Sequence, residues 1–341
     1  MSGNNKRITI KIIADLVGVS HKTVSRVINN EKYVKEETRK KILAVIKKYN
    51  FQPNFFAKGL RTKESKTIGL ILGDINNPFY SLLTEGVIME CEKEGYNVIV
   101  VNTSYATDIG NRYIKVLLGK GIDGLIITTI NFTENILNSN IINIPYILVS
   151  LNSDIQYINY VTADDYNGGL LAAEYLIKLG HRKIYFLTVA EVVSAGNRVQ
   201  AFKDVIKKYE ISNNDSSISK PLINEHGSYS EVKKIIKNGN KYTAFIAGND
   251  SLAIGAMRAI YEAGLKIPED ISIIGYDNIS VASILKTPLT TVEQPKFELG
   301  SIGAKRLLAM LKDPIAAGGK PMRRILPTKL IIRKSCKKIN N

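Results

Sequence analysis

Cysteine and histidine are both scarce in this chain of 341 residues. Cys91 and Cys336 stand far apart with no CxxC pair, and His21, His181 and His226 fall in three separate regions. That pattern excludes a disulfide framework and a structural zinc site, and it points to a reducing, cytoplasmic setting with no metal and no cofactor. Long apolar runs are missing too: no 18 consecutive apolar residues occur, and Lys6 and Arg7 are followed by no apolar signal-peptide core. Neither a membrane span nor secretion is expected. Catalytic signatures are absent as well, with no GxGxxG opening a helix after a strand, no GxxxxGK[ST] and no GxSxG. His181, ahead of a strand, and His226, in a polar stretch, both read as loop residues rather than bases. The chain is not expected to be an enzyme.

The length exceeds what one hydrophobic core fills, so two or three domains are expected. With 45% apolar and 23% charged residues the composition is that of an ordinary soluble protein. Its net charge of +16 is unevenly spread. Residues 1–66 hold 16 Lys/Arg against 5 Asp/Glu, while the other 275 hold 31 against 26. A basic head on a nearly balanced body is the footprint of a polyanion partner, since each neutralised phosphate releases counterions. Charge alone fits a solvated lysine-rich surface equally well.

The head supplies a motif. Ile10, Ile13, Leu16 and Val17 recur at helical spacing, Gly18 and Ser20 interrupt, and Val24, Val27 and Ile28 resume the period. The pattern predicts two short helices across a tight turn. Gly18 takes the positive φ, Ala14 allows close approach, and Ser20 caps the second helix. The amides of residues 20–23 then point outward as a phosphate site. His21, Lys22, Ser25 and Arg26 occupy the outer face of the second helix, where a major-groove reader needs donors. His21, Lys22 and Arg26 are the candidates for base edges, and Thr23 and Ser25 for phosphates. A third amphipathic helix over about 36–48, with Ile42, Leu43, Val45 and Ile46, closes the core. Beyond it, residues 50–62 form a short helix-capable stretch opened by Pro53 and weakened by Gly59, with Leu60 placed to wedge between base steps of the minor groove.

The runs Ile8-Thr9-Ile10, Gly18-Val19-Ser20, Thr23-Val24-Ser25-Arg26-Val27-Ile28-Asn29 and Pro53-Asn54 to Leu60-Arg61-Thr62 resemble the lactose-repressor/galactose-repressor family of bacterial transcription regulators. The likeness continues through Asp74-Ile75-Asn76-Asn77-Pro78-Phe79-Tyr80, Leu179-Gly180-His181-Arg182, Asn249-Asp250, Ile274-Gly275-Tyr276-Asp277-Asn278 and Leu289-Thr290-Thr291-Val292, so it spans nearly the whole chain. It extends the implied DNA-contacting set to Thr9, Ser20, Asn29, Asn54, Ala57 and Lys58. Two departures stand out. Lys35 replaces the Ser or Thr that usually caps the third helix, and Ser150-Leu151 replaces an Asp-Arg pair often found after that strand.

From Thr67 onward, apolar runs at 68–72, 98–101, 124–128, 146–149, 184–187, 244–247 and 271–274 alternate with longer amphipathic stretches. Such runs predict parallel strands covered on both faces, here in two doubly wound α/β lobes with a break near 161–164. The expected fold class is therefore an N-terminal all-α helix-turn-helix domain followed by two parallel-sheet lobes, which the resemblance assigns to the periplasmic-binding-protein type. The expected organisation is a DNA-binding domain over 1–50, a hinge helix and linker over 51–66, and an effector-binding and dimerisation domain over 67–341. Lobe one takes about 67–162 and 294–322, lobe two about 163–293 and 323–341.

Ligands in such sheets collect at the carboxyl ends of strands. Those ends offer Asp74, Phe79, Tyr80, Arg198, Asn249 and Asp277, which also match the family's effector pocket. Asp277, Asn249 and Arg198 supply acceptors and donors for hydroxyls, and Phe79 or Tyr80 an apolar wall. Asp250 reads equally as a helix cap and as a ligand contact. A sugar or sugar phosphate is the first expectation for the effector, a nucleobase or amino-acid derivative the second. The reading is a cytoplasmic repressor, a homodimer on a pseudo-palindromic double-stranded operator, switched by a small molecule and with no membrane role; a corepressor protein stays open as a further partner. Two alternatives stay beside it: a solute-binding protein without a DNA role, and a glycosidase using Asp74 and Asp277. No heptad series ends the chain, so a dimer rather than a tetramer is the default.

Overall fold

In the computed structural model, residues 8–51, 64–129, 141–189, 193–212, 215–313 and 319–339 are described. The chain divides into two compact units, Met1–Ser65 and Lys66–Asn341.

The first unit contains helices α1 (Ile10–Val17), α2 (His21–Ile28) and α3 (Glu36–Lys48). Thr9 caps α1 by accepting from the Ile12 amide, and Gly18 ends it at φ 70°, a left-handed turn that a side chain would strain. Ser20 caps α2 through the Thr23 amide at 3.1 Å. Ile13, Ala14, Val24, Val27 and Ile42 form the buried core. Two members of the expected apolar set are not in it: Leu16 is 52% exposed and Leu43 47%. Both lie at the margin of the stripe, and in so small a domain the core cannot cover the full apolar arc. As expected from Lys35, α3 has no side-chain cap.

The second unit holds two sheets. Strands β1 (Thr67–Leu72), β2 (Asn97–Asn102), β3 (Gly124–Ile127), β4 (Tyr146–Val149) and β5 (Tyr160–Ala163) pair in parallel, and a late strand β11 (Arg323–Leu326) adds to the edge, giving the order β11-β5-β4-β3-β1-β2. The other sheet is built from β6 (Ile184–Leu187), β7 (Ser216–Ile218), β8 (Ala244–Ala247), β9 (Ser272–Asp277), β10 (Thr290–Glu293) and β12 (Lys329–Ile331), in the order β12-β10-β9-β8-β6-β7. Here β12 runs antiparallel to β10, and the remaining pairs are parallel. Helices α4 (Phe79–Lys93), α5 (Thr107–Gly119) and α10 (Lys296–Lys312) belong with the first sheet; α6 (Asp165–Lys178), α7 (Val193–Lys208), α8 (Glu225–Lys237) and α9 (Asp250–Glu262) with the second. Strands such as β3, β6 and β8 are buried along their whole length because helices cover both faces.

The chain passes from lobe one to lobe two after Ala163, returns near Gln294, and crosses again between Leu326 and Lys329. The last crossing corrects the boundary expected near 322. Arg323–Leu326 pairs in register with Tyr160–Ala163 and so belongs to lobe one. Two arginines precede a single Ile-Leu pair, so no apolar run marks it, and a strand at an exposed sheet edge needs none. The residues after Lys329 are no free tail: Ser335 is fully buried and its hydroxyl donates to the Ile273 carbonyl at 2.6 Å.

Candidate functional site

Two sites emerge, one in each unit. In the head, His21 and Lys22 at the start of α2 are exposed, while Thr23, Ser25, Arg26 and Asn29 are half-buried along its outer side. Thr9 and Ser20 are exposed at the two helix starts. One refinement concerns the outward amides of residues 20–23: the Thr23 amide is already taken by the Ser20 hydroxyl, leaving the α2 start partly satisfied. Arg26 lies 3.6 Å from Glu31, an exposed and weak pairing that leaves its guanidinium available to a phosphate or base. Arg39 fastens the loop after α2, donating to Asn30 Oδ1 at 3.1 Å and to the Glu31 carbonyl. Asn54, Ala57, Lys58 and Leu60 lie outside the described residues.

The second site follows from topology. Both sheets contain the order 2-1-3-4-5, so each has a switch point where neighbouring connections leave to opposite faces and open a crevice at the strand ends. In lobe one the switch lies between β1 and β3, in lobe two between β6 and β8. The residues just past these strands, Asn77, Phe79, Tyr80 and Thr128 on one side and Val189 and Asn249 on the other, line one cavity between the lobes. Tyr105, Ser150, Leu151, Arg198, Ile223, Asp277 and Gln294 complete its wall.

Of the effector residues expected from sequence, the structure gathers five here: Phe79, Tyr80, Arg198, Asn249 and Asp277. Asp74 is not among them. Its carboxylate accepts from the backbone and side-chain nitrogens of Asn76, an Asx turn, and it sits at the outer mouth with Asn224, Glu225 and His226. His226 itself is in the first turn of α8 rather than in a loop, and His181 is buried, bonding Thr243 at 2.8 Å and the Lys337 carbonyl at 3.1 Å. Neither lines the cavity. Asp250 does not cap α9; Asn249 does, accepting from the Leu252 amide at 2.8 Å.

Arg198 is held rigidly. Its Nε and Nη2 reach Asp165 Oδ1 at 2.8 and 2.7 Å, Nη1 donates to the Gly248 carbonyl at 2.6 Å, and the guanidinium stacks 3.8 Å from the centre of the Tyr276 ring. Burial opposes its charge, yet the Asp165 carboxylate outweighs it and raises the Arg198 pKa above that of a free guanidinium. Asp277 takes the opposite role. Burial pushes its carboxyl up to about 6 against the lowering pull of Arg198, Gln294 and Lys296. Its backbone sits at φ 113°, a conformation a non-glycine residue keeps only when its surroundings impose it. They do: Lys296, buried at the start of α10, donates to the carbonyls of Asp277, Asn278 and Gln294 across the hinge.

Behind this layer, Asp250 is fully buried, accepting from Thr291 Oγ1 at 2.6 Å and the Ile279 amide at 2.8 Å. Gly275 makes room for it, since a Cβ there would stand 2.0 Å from Asp250 Oδ1. Burial, with the charge of Asp277, pushes Asp250 up to about 8. Sequence reading missed Asp165, Tyr276, Gln294 and Lys296. Tyr276 lies in the run Ile274-Gly275-Tyr276-Asp277-Asn278, but nothing in its spacing says that it faces Arg198, 78 positions earlier. Among the described residues, no cluster of His, Cys, Asp and Glu is suited to a metal ion, and no helix is long and apolar enough to cross a membrane.

The sequence model of bacterial regulatory proteins of the lacI family matches residues 9–54, and that of the periplasmic binding protein-like domain matches residues 173–336. The ribose operon repressor of Haemophilus influenzae is 34% identical over 312 residues, 90% of this chain and 92% of its own. The HTH-type transcriptional repressor PurR of Vibrio vulnificus is 33% identical over 335 residues, 97% and 99% of the two chains. Among solved structures, the lac repressor dimer bound to operator and the anti-inducer ONPF is similar with a TM-score of 0.81 at 28% identity, covering 97% of this chain and 100% of that one. A LacI family transcriptional regulator from Enterococcus faecium with bound ribose has a TM-score of 0.73 at 31% identity, covering 80% and 100%. Likeness at this level, carried across nearly the full length of both repressors, means that the chain belongs to the lacI family of bacterial regulatory proteins.

Proposed function

We propose that this protein is a cytoplasmic repressor that binds a pseudo-palindromic operator as a homodimer and changes its operator affinity when a small molecule, a sugar or sugar derivative, occupies the cleft. It does no chemistry on that ligand. In this reading His21, Lys22 and Arg26 meet base edges, while Thr9, Ser20, Thr23, Ser25 and Asn29 hold the sugar-phosphate backbone. Asn54, Ala57, Lys58 and Leu60 add minor-groove contacts from the hinge segment. Arg198, Asn249 and Asp277 grip the ligand's polar edge, with Phe79 and Tyr80 as its apolar wall. Asp74 shapes the cleft mouth rather than touching the ligand.

The observation that carries the reading is the occurrence, in one chain, of an exposed basic recognition helix and a cavity at the facing switch points of two lobes. A solute-binding protein needs the second and has no use for the first. Support also comes from relatives: the lac repressor structure contains a dimer on operator, and the Enterococcus faecium regulator contains ribose. A ligand that prefers one lobe arrangement shifts operator affinity by the ratio of its affinities for the two.

Selection of duplexes from a random DNA library by the purified protein, at roughly 0.15 M salt where nonspecific binding is weak, tests it. The expected product is an inverted repeat. Recovery of no common sequence, with and without candidate ligands, would remove the operator reading and leave only the cleft.

A further inference from the structure

The strands of the second sheet start at the end of lobe two that faces away from the cleft, and the segment after β12 is laid across those starts. The His181 ring bonds Thr243 Oγ1 at 2.8 Å and the Lys337 carbonyl at 3.1 Å. The Ile339 amide donates to the Leu179 carbonyl at 2.9 Å, and the Lys337 amide to Ser272 Oγ at 3.1 Å. The Thr243 amide in turn donates to the Lys183 carbonyl at 2.9 Å, and the Ser272 amide to the Thr243 carbonyl at 3.0 Å. These bonds gather Arg182, Lys183, Lys241, Lys334, Lys337 and Lys338 at one end of the lobe, and all six are exposed.

That end is basic beyond what its helices call for. The segments that lead into the strands of lobe two (179–183, 209–215, 238–243, 263–271 and 278–289), together with 334–339, hold 8 Lys/Arg against 4 Asp/Glu, nearly the whole positive excess of the body. The matching segments of lobe one (66, 94–96, 120–123, 141–145, 150–159 and 313–322) hold 3 against 4. Helices end on this side of the sheet in both lobes, so the pull of helix C-termini on cations acts on both and does not account for the difference. Last-turn lysines on α6, α7 and α8 add to the lobe-two excess. None of the ion pairs among the described residues includes Lys183, Lys334 or Lys338.

What such a surface takes follows from what it lacks. None of the exposed large apolar side chains falls in 178–183, 238–243, 263–272 or 334–339. A protein partner is met by aromatic and aliphatic anchors with few lysines, and a bilayer by apolar side chains that enter it. Exposed ammonium groups alone suit a dense row of phosphates, such as duplex DNA with one charge per about 1.7 Å of its axis. Of the six cations only Arg182 is an arginine, and its Nη1 is spent on the carbonyls of Ile177 and His181. Lysines are point charges without the planar fork that reads a base edge, so no sequence is read here.

We propose that the strand-start end of lobe two is a second DNA-binding surface, independent of sequence, which grips the phosphate backbone through Lys183, Lys334 and Lys338. This goes beyond the operator reading and does not depend on it.

The test uses the full-length protein with its recognition helix disabled by Lys22→Glu and Arg26→Glu, so that an operator need not be known. Fluorescence anisotropy with a random duplex of about 40 bp, over a salt series, reads the affinity that is left. Adding Lys183→Glu, Lys334→Glu and Lys338→Glu should weaken it at least tenfold and lower the slope of log affinity against log salt by about 2 to 3 per protomer. Lys115→Glu, Lys203→Glu and Lys220→Glu make the same change in net charge at exposed positions elsewhere and should cost less than threefold. The Gln versions of the three lobe-two substitutions, checked by circular dichroism, replace the Glu versions if those do not fold. Equal losses in the two triple variants would mean that net charge alone attracts the duplex, and an unaltered affinity in the lobe-two variant would mean that DNA does not bind there. Either overturns the proposal. So does binding to phosphatidylglycerol vesicles or to polyglutamate that depends on the three lysines when duplex binding does not, because the partner is then a membrane or an acidic protein.

Discussion

Asp250 is a buried carboxyl that ties the stability of the fold to pH. Its ordinary pKa of 3.8 is pushed up to about 8 by burial, and its two oxygens accept from Thr291 and the Ile279 amide. Between about pH 4 and pH 8 the folded state therefore keeps a proton that the unfolded chain releases. The sign follows: its contribution is fully present below the lower limit and is lost as pH rises through the upper one. In Asp250→Asn the amide oxygen can accept from the Ile279 amide while its NH2 donates to Thr291 Oγ1, so both partners are kept without a titrating group. Chemical denaturation from pH 5 to pH 8 should show wild-type stability falling and the variant flatter, with a gain at pH 8 of more than about 1 kcal/mol. Equal slopes would mean that the Asp250 carboxyl does not titrate in this range.

At the scale of the element, the head is small enough for its helix caps to matter. Ser20 caps α2, whereas Lys35 leaves α3 with no side-chain acceptor at its start. Ser20→Ala should destabilise the head by ~1 kcal/mol, and Lys35→Ser should stabilise it by a similar ~1 kcal/mol. The chain has no tryptophan, so amide hydrogen exchange in α2 and α3 is the suitable measurement. Protection that moves in the same direction for both variants would contradict the cap assignments. The hinge is the second element of consequence. Lys296 belongs to a helix of lobe one and bonds the end of a strand in lobe two, so the backbone that presents Asp277 is shaped by the crossing itself. Site geometry and lobe arrangement are thereby coupled through one ammonium group, a physical route by which ligand occupancy and lobe angle bias each other.

For the whole molecule, charge placement predicts how operator binding responds to salt. Lys22→Ala and Arg26→Ala should both weaken binding. The slope of log affinity against log salt should fall by about 2 per dimer for a residue that contacts phosphate, one contact from each head. A residue that reads bases should instead relax the recovered consensus at one symmetric pair of positions. Leu60→Ala should reduce both affinity and DNA bending if the hinge segment supplies a wedge, and unchanged bending in a circular-permutation gel assay would dismiss that role.

Much of this architecture is legible residue by residue along the chain. Helical spacing around Gly18 and Ser20 marked the two head helices, because a tight turn admits few residues and a cap needs an oxygen. Seven apolar runs located strands, six of them interior, since a strand covered on both faces has nowhere to put a charge. Strand ends then pointed to Phe79, Tyr80, Arg198, Asn249 and Asp277. Local signals of this kind are written within a few residues. Other features depend on how distant segments fold together. It turned Asp74 into its own Asx turn at the cleft mouth, put Arg323–Leu326 into lobe one, and left Leu16 and Leu43 at the surface. It also joined Asp165 and Tyr276 to Arg198, and Gln294 and Lys296 to Asp277, across separations of up to 78 positions. Those partners carry no local pattern. Their roles depend on which strand ends and helix starts the crossings bring together, and on the burial that then forces each charge to find a partner.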